Sequence, residues 1–384
     1  LDDEIARELS EDSSSEFHEK WVIGYGHSSV AEHAVLSIAI ENVSILGAKA
    51  VEENRLSSFT EKSTRYQVMD PSNYYTPSCF DGEPGRTYAE AVARLYSAYE
   101  ESFGQAAGFC ERKYAGDVWR SLGVAPRGKA CDAVRGLLPA AAKTNVGWTV
   151  NARSLRHALV KMASHPLCEM RDLAAEIEAA ARPRVPTLLR HTDPSEYLTG
   201  WEKRMRAAGG DPGSTASVSP PAVRLVDHDP DGEDAVLAAL LFRATGGEYD
   251  EIRETLAGLS PGAKRELLTR AVDRVGEHDA VVREFENIAY TFEITVDFGA
   301  YRDIQRHRMA TQTQQPLGCD LGYTIPEDAR EAGIAGAMEE ALERAASAWR
   351  QLVRHDADHA QYVVPLAFHK RFLMRMDFRE AYYF

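Results

Sequence analysis

The order of sequence signals in the first half of the chain recurs in the second, and such a repeat confines the fold to two copies of one supersecondary plan. The stretch AEHAVLSIAIENVSILGAKAVEENRLSSFTEKSTRYQ, from Ala31, parallels FENIAYTFEITVDFGAYRDIQRHRMATQTQQPLGC, from Phe285. Further on, DAVRGLLPAAAKTNVGWTVNAR, ending at Arg153, parallels HAQYVVPLAFHKRFLMRMDFR, ending at Arg379. In the second copy Ile288, Tyr290, Phe292, Ile294 and Val296 alternate with smaller or polar residues, which predicts a strand with one apolar face. Phe298, Tyr301, Arg302, Gln305 and Arg308 then recur at helical spacing and set the triplet Arg306, His307, Arg308 at a helix end. In the first copy KTNVGWTV reads as a strand, and Leu155, Ala158, Leu159 and Met162 form a helical stripe. Longer helices are expected between Tyr88 and Ala106 and between Ala332 and Val353.

The copies are separated by RAAGGDPGSTASVSPPAV, Arg206 to Val223, where glycine, serine and proline cluster and periodicity is lost. Beyond it VRLVDHDPDGEDAVLAALLFRA predicts a strand, a turn and a helix. The expected division is a first domain at 1–205, a linker at 206–222 and a second domain at 223–384, with the last helix of the second copy cut short at AYYF. The expected fold class is α+β or α/β, two tandem domains each with a strand-containing core and long packed helices.

With 44 basic and 59 acidic residues among 384, the formal charge of -15 argues against a duplex nucleic-acid binder, though not against a local basic pocket for one nucleotide. No apolar run approaches the ~20 residues that span a bilayer, so no membrane partner is expected. Cys79, Cys110, Cys131, Cys168 and Cys319 are odd in number and never spaced as CxxC, which favours a reducing, cytoplasmic setting over a disulfide framework. The sequence holds no nucleophile elbow, no GKT phosphate loop and no GxGxxG turn.

Five constellations can carry chemistry. Arg306, His307 and Arg308 suit a pyrophosphate or an electron-rich flavin edge, because guanidinium offers a rigid donor fork to anions, and they equally suit a solvated basic helix end. Ser58, Glu61, Ser63, Arg65 and Tyr66 can converge on a phosphate and a ribose hydroxyl, or lie in a polar surface loop. Arg135 and Arg153, with Asn151 between them, need anionic partners wherever they are buried, supplied by a ligand or by carboxylates. His27, Glu32 and His33, and His355 with His359, have metal-ligand chemistry without the HExxH pattern; capping and local hydrogen bonds are the plainer reading, and no metal is expected.

Taken together, GHSSVAEHA, RLSSFTEKSTRY, DAVRGLLPAAAKTN and NARSLRHAL resemble the flavin-dependent thymidylate synthases, the ThyX family, over most of Gly24 to Arg171 and more faintly over Val223 to Phe384. The resemblance implies reductive methylation of dUMP to dTMP, with methylenetetrahydrofolate as carbon donor, FAD as hydride carrier and NADPH as reductant. It implies cofactor contacts from Arg306, His307, Arg308, Asn151, Arg153, Arg379 and His27. Ser58, Glu61, Ser63, Arg65 and Arg135 fall to the nucleotide, with Arg65, Arg135 and Ser63 taken as catalytic. The family's homotetramer, with sites shared between subunits, implies a homodimer for a chain of two copies.

The signature is divided between the copies. The first has Glu53, Asn54 and Arg55 at the triplet but keeps Ser58, Glu61, Ser63 and Arg65. The second keeps the triplet but has Pro316 and Gly318 at the serine and arginine places, and Gln361 and Asp377 at those of Arg135 and Asn151. One copy is thus expected to grip nucleotide and the other flavin, complementing one another. Met162 stands where the family pattern places a later, pyrimidine-contacting arginine. That departure raises two alternatives: a flavin-dependent enzyme on another pyrimidine nucleotide, or a catalytically inactive nucleotide-binding or structural homologue.

Overall fold

The computed structural model describes residues 28–115, 125–209 and 222–384. The first copy runs β1 (Val35–Ser44), α1 (Ile45–Glu52), β2 (Ser57–Glu61), α2 (Gly82–Lys113), α3 (Pro126–Val134), a 3-10 turn at Arg135–Leu137, β3 (Lys143–Asn151) and α4 (Ala152–Ala163). It is followed by α5 (Cys168–Ala181), α6 (Trp201–Gly209), β4 (Ala222–His228), α7 (Gly232–Thr245), α8 (Tyr249–Ala257) and α9 (Pro261–Val272). The second copy then repeats the plan as β5 (Ala289–Asp297), α10 (Phe298–Ile304), β6 (Thr311–Gln314), α11 (Glu327–Glu331), α12 (Ala335–Leu352), a 3-10 turn at His359–Val363, β7 (His369–Asp377) and α13 (Phe378–Tyr383). This is a mixed α/β fold built from two like segments.

The repeat is visible in backbone detail. One sheet has the order β1-β3-β2 and the other β4-β5-β7-β6, so the same three-strand order appears twice with β4 added beside β5. Along β3 the buried positions Thr144, Val146, Trp148 and Val150 alternate with exposed ones, and along β7 Phe372, Met374 and Met376 do the same. Asn151 caps α4 by accepting from Ser154 N at 2.8 Å, and its counterpart Asp377 caps α13 by accepting from Glu380 N at 2.8 Å. Ile45 N and Leu46 N donate to Ala142 O and Ala140 O; at the matching places Phe298 N and Gly299 N donate to Phe368 O and Leu366 O. The matched prolines Pro139 and Pro365 pair with each other in an antiparallel bridge, flanked by Ala140 N to Val364 O and Leu366 N to Leu138 O, both 2.9 Å. A segment pairing reciprocally with its own counterpart is the signature of an internal pseudo-twofold.

By compactness the chain divides otherwise. One unit takes the described residues up to 209 with Asp297–Arg302 and Pro316–His369; the other takes 222–296, Asp303–Gln315 and Lys370–Phe384. In the first unit α2 packs on α12. Val92 and Leu95 on α2 and Met338 and Leu342 on α12 are fully buried at helical spacing, each burial stabilising by roughly 1.5–3 kcal/mol. Glu169 of α5 is buried there as well, its carboxylate accepting from Ser44 N, Ser44 Oγ and Tyr362 Oη at 2.6–2.8 Å. Burial raises its pKa while those donors hold it down. The second unit has its own core, in which Val236 of α7 packs with Val281, Phe285 and Ile288, and Leu237 packs with Ile252 and Leu256 of α8.

Two local expectations differ from what is seen. The helix after β5 stops at Ile304 because Arg306 N and His307 N turn back to Asp303 O and Ile304 O, which leaves Gln305 and the arginine-histidine triplet in a turn just beyond it. The segment read as lacking periodicity begins helically, since α6 runs on to Gly209 through the helix formers of EKRMRAA, and it ends in β4; residues 210–221 lie outside the described residues. Among the described residues no helix is long and apolar enough to cross a membrane.

His165, in the turn after α4, carries a pH prediction. Burial lowers its pKa to about 4, and Nδ1 accepts from Leu167 N at 3.1 Å, which also requires a neutral ring. A histidine depressed in the folded state withholds a proton that the unfolded chain accepts, so its stabilising effect is complete above pH ~6.5 and is lost as pH falls toward 4. The Tm of the protein should therefore fall over that window, and His165→Asn, which keeps the acceptor but cannot titrate, should flatten the fall. Equal slopes for the two proteins would contradict this assignment.

Candidate functional site

The first unit gathers the polar residues that follow β2. Ser58 lies on β2 opposite Thr149 of β3 and faces solvent. Past the strand, Ser63 Oγ accepts from Arg65 N at 3.2 Å, a local serine turn that fixes the start of the Arg65 side chain. The guanidinium of Arg65 reaches α3, where its Nε stands 3.4 Å from Asp132 Oδ1. Arg135, one helical turn beyond Asp132, brings its own Nε to the same oxygen at 3.4 Å. One carboxylate thus holds two guanidiniums side by side.

The second copy enters this neighbourhood through α10. Arg302 forms a charge-assisted hydrogen bond with Glu61 at the end of β2, and the two side chains are only 10% and 7% exposed. Three residues earlier Gly299 lies against Arg135: a Cβ there would stand 3.7 Å from the guanidinium Cζ and 3.1 Å from Asp297 Oδ1. The first distance is ordinary contact and the second is tight, so a side chain here would press on Asp297 and not on Arg135. Arg65, Arg135 and Arg302 thus gather among the carboxylates of Asp132, Glu61 and Asp297, and guanidiniums with hydroxyls beside them are the donors that can receive a phosphate monoester.

The remaining predicted residues are placed as follows. Arg153, at the start of α4, is paired with Glu32, both substantially exposed, and Asn151 is occupied at Oδ1 as the α4 cap. His27 lies outside the described residues. In the second unit Arg306 is 71% exposed and 4.0 Å from Asp303, while His307 Nδ1 is 3.0 Å from Glu380 and its ring lies 4.8 Å from that of Phe384. Arg308 N closes the turn on Arg306 O at 2.8 Å. Arg379 is committed locally, donating from Nε to Val281 O at 3.0 Å and from Nη1 to Glu286 at 2.7 Å.

Of the histidines weighed for metal, His359 lies with Cys79 and Asp356, their ligand-type atoms within 4.8 Å of one another. Cys168 N donates to His359 Nε2 at 3.2 Å, so the ring proton is on Nδ1, facing Asp356 Oδ2 at 2.9 Å. A cation on Nδ1 would drive that proton to Nε2, against the Cys168 N–H. The cluster is chemically a hydrogen-bonded lock, and His355 faces Cys79 O instead, at 3.2 Å.

The family model described as thymidylate synthase complementing protein matches residues 2–187 and again 224–384. The chain belongs to the thymidylate synthase complementing protein family. A "UPF0159 protein" of Chlamydia muridarum (strain MoPn / Nigg) is 30% identical over 97% of this chain and 74% of the relative. A flavin-dependent thymidylate synthase of Clostridium tetani (strain Massachusetts / E88) is 28% identical over 50% of this chain and 76% of its own. Among solved structures, flavin-dependent thymidylate synthase ThyX of Helicobacter pylori, complexed with FAD and dUMP, overlaps 48% of this chain and 87% of its own at 21% identity and a TM-score of 0.34.

Within this family member, two residues of the cluster were not singled out from sequence as site residues. Asp132 sits in the quoted DAVRGLLP segment, and its spacing to Arg135, one helical turn, is the signal that could have found it. Arg302 sits on the stripe that predicts α10, but its partner lies far away in sequence at Glu61, and no local pattern announces such a pair. Met162 is 3% exposed on the apolar face of α4 with Leu155, Ala158 and Leu159, so the place of the expected arginine is core.

Proposed function

We propose that the protein catalyses flavin-dependent reductive methylation of dUMP to dTMP, with methylenetetrahydrofolate as carbon donor and NADPH as reductant. The observation that carries this reading is the convergence of Arg65 and Arg135 on Asp132 beside Ser63, while Arg302 holds Glu61. In this reading Arg65 and Arg135 bind the nucleotide phosphate, Ser63 fixes the loop that presents Arg65, and Ser58 adds an exposed hydroxyl on β2. Glu61 is already neutralised by Arg302, so its role toward a nucleotide is to hold β2 and α10 in place and not to repel the phosphate.

The donor set of Arg306, His307 and Arg308 fits FAD: two guanidiniums and an imidazole on one turn, with Arg306 well exposed, match a pyrophosphate. When bound, FAD supplies the hydride chemistry; the chain binds, orients and excludes water. The protein acts as a cytoplasmic homodimer. Incubating it with FAD, NADPH, methylenetetrahydrofolate and dUMP should yield dTMP. Flavin-loaded protein that leaves dUMP unchanged would contradict the assignment.

The burial of Met162 favours one second reading, the same chemistry on a different pyrimidine nucleotide, because a thioether donates no hydrogen bond to the base. Turnover of UMP or dCMP in preference to dUMP would decide for it.

A further inference from the structure

The second copy contains a counterpart of the nucleotide cradle, and its contents are of a different kind. Pro316 replaces the turn-forming Ser63 and offers no hydroxyl, and Gly318 replaces Arg65. A Cβ on Gly318 would lie 2.8 Å from Cζ2 and 3.3 Å from Cη2 of Trp349, well inside any real contact. Trp349 comes from α12, whose neighbouring Ala345, Ala346 and Ala348 are buried and hold the helix close. Gln361, at the place of Arg135, does not face an anion: its Oε1 accepts from Leu317 N at 2.8 Å and its Nε2 donates to Asp358 O at 3.0 Å. Leu317 and Cys319, flanking the glycine, are 2% and 4% exposed.

We propose that Trp349 closes the second copy's cradle, so that each chain holds a single nucleotide site, the one built around Arg65 and Arg135. The count of nucleotides rests on the reading of that first site; the closure itself does not. Where the first copy has a guanidinium reaching a carboxylate on α3, the second has an indole ring filling the space above a glycine. The plug is kept although Trp349 Nε1–H is buried without a hydrogen-bond partner among the described residues, a cost that an apolar ring of the same size would avoid. Gly318 is therefore required by the indole and not by its own backbone.

Two measurements on the full chain test this. Gly318→Ala should lower Tm by several degrees through overpacking, and adding Trp349→Phe should recover much of that loss, because the shorter ring vacates the place of Cζ2. An alanine tolerated without loss, or a loss that Trp349→Phe does not relieve, overturns the closure. Calorimetric titration with dUMP should give one nucleotide per chain, removed by Arg65→Ala. Two per chain overturns the proposal. No binding, with the glycine–tryptophan coupling intact, overturns the single site and the reading of the first site while leaving the closed cradle standing.

Discussion

Replacing Arg302 with alanine should destabilise the protein by about 3–5 kcal/mol, the largest effect expected of any single change at this site. Its partner Glu61 is 7% exposed in its side chain, so removing the guanidinium strands a carboxylate where water reaches it poorly. The double variant Arg302→Met with Glu61→Leu removes both charges and should recover most of the loss, since the cost lies in the unpaired charge and not in the absence of the pair. Urea unfolding of the single and double variants measures this. A single variant that loses less than about 1 kcal/mol would mean that the pair is solvated like a surface bridge.

The second large effect is on ligand binding. Arg65→Ala should raise the dissociation constant for dUMP by roughly 10- to 150-fold, corresponding to the ~1.5–3 kcal/mol of hydrogen bonds to a charged group. Flavin content after purification should not change, because Arg65 is not among the residues assigned to FAD. Arg308→Ala should do the reverse, lowering flavin content and leaving nucleotide affinity within a few-fold. Loss of both ligands in both variants would show that the two grips are not divided between the copies as the sequence divides them.

Much of this architecture was legible in the sequence because periodicity reports burial directly. The alternation in KTNVGWTV gave β3, and the stripe through Leu155, Ala158, Leu159 and Met162 gave α4, because each side chain's environment is set by its own element. The turn at Arg306 was less legible: helical spacing continues to Arg308, but backbone bonds at Arg306 and His307 already close in 3-10 fashion. Residue spacing does not record where a hydrogen-bond ladder tightens.

The candidate site is legible in its residue types and not in its pairings. Ser63, Arg65 and Arg135 are singled out by sequence because their motifs are local, whereas Arg302 with Glu61 and Gly318 with Trp349 are partners by tertiary approach alone. Gly318 shows the difference well. In sequence it is an arginine lost; in the structure it is space occupied by an indole.

The central claim, a flavin and pyrimidine-nucleotide enzyme with one nucleotide site per chain, is tested most directly by the visible absorption spectrum of the purified full chain during titration with dUMP. The account predicts a bound-flavin spectrum whose bands shift on adding dUMP and saturate at one nucleotide per chain. A colourless protein that cannot be reconstituted with FAD, or flavin bands indifferent to dUMP and to other pyrimidine nucleotides, would contradict it.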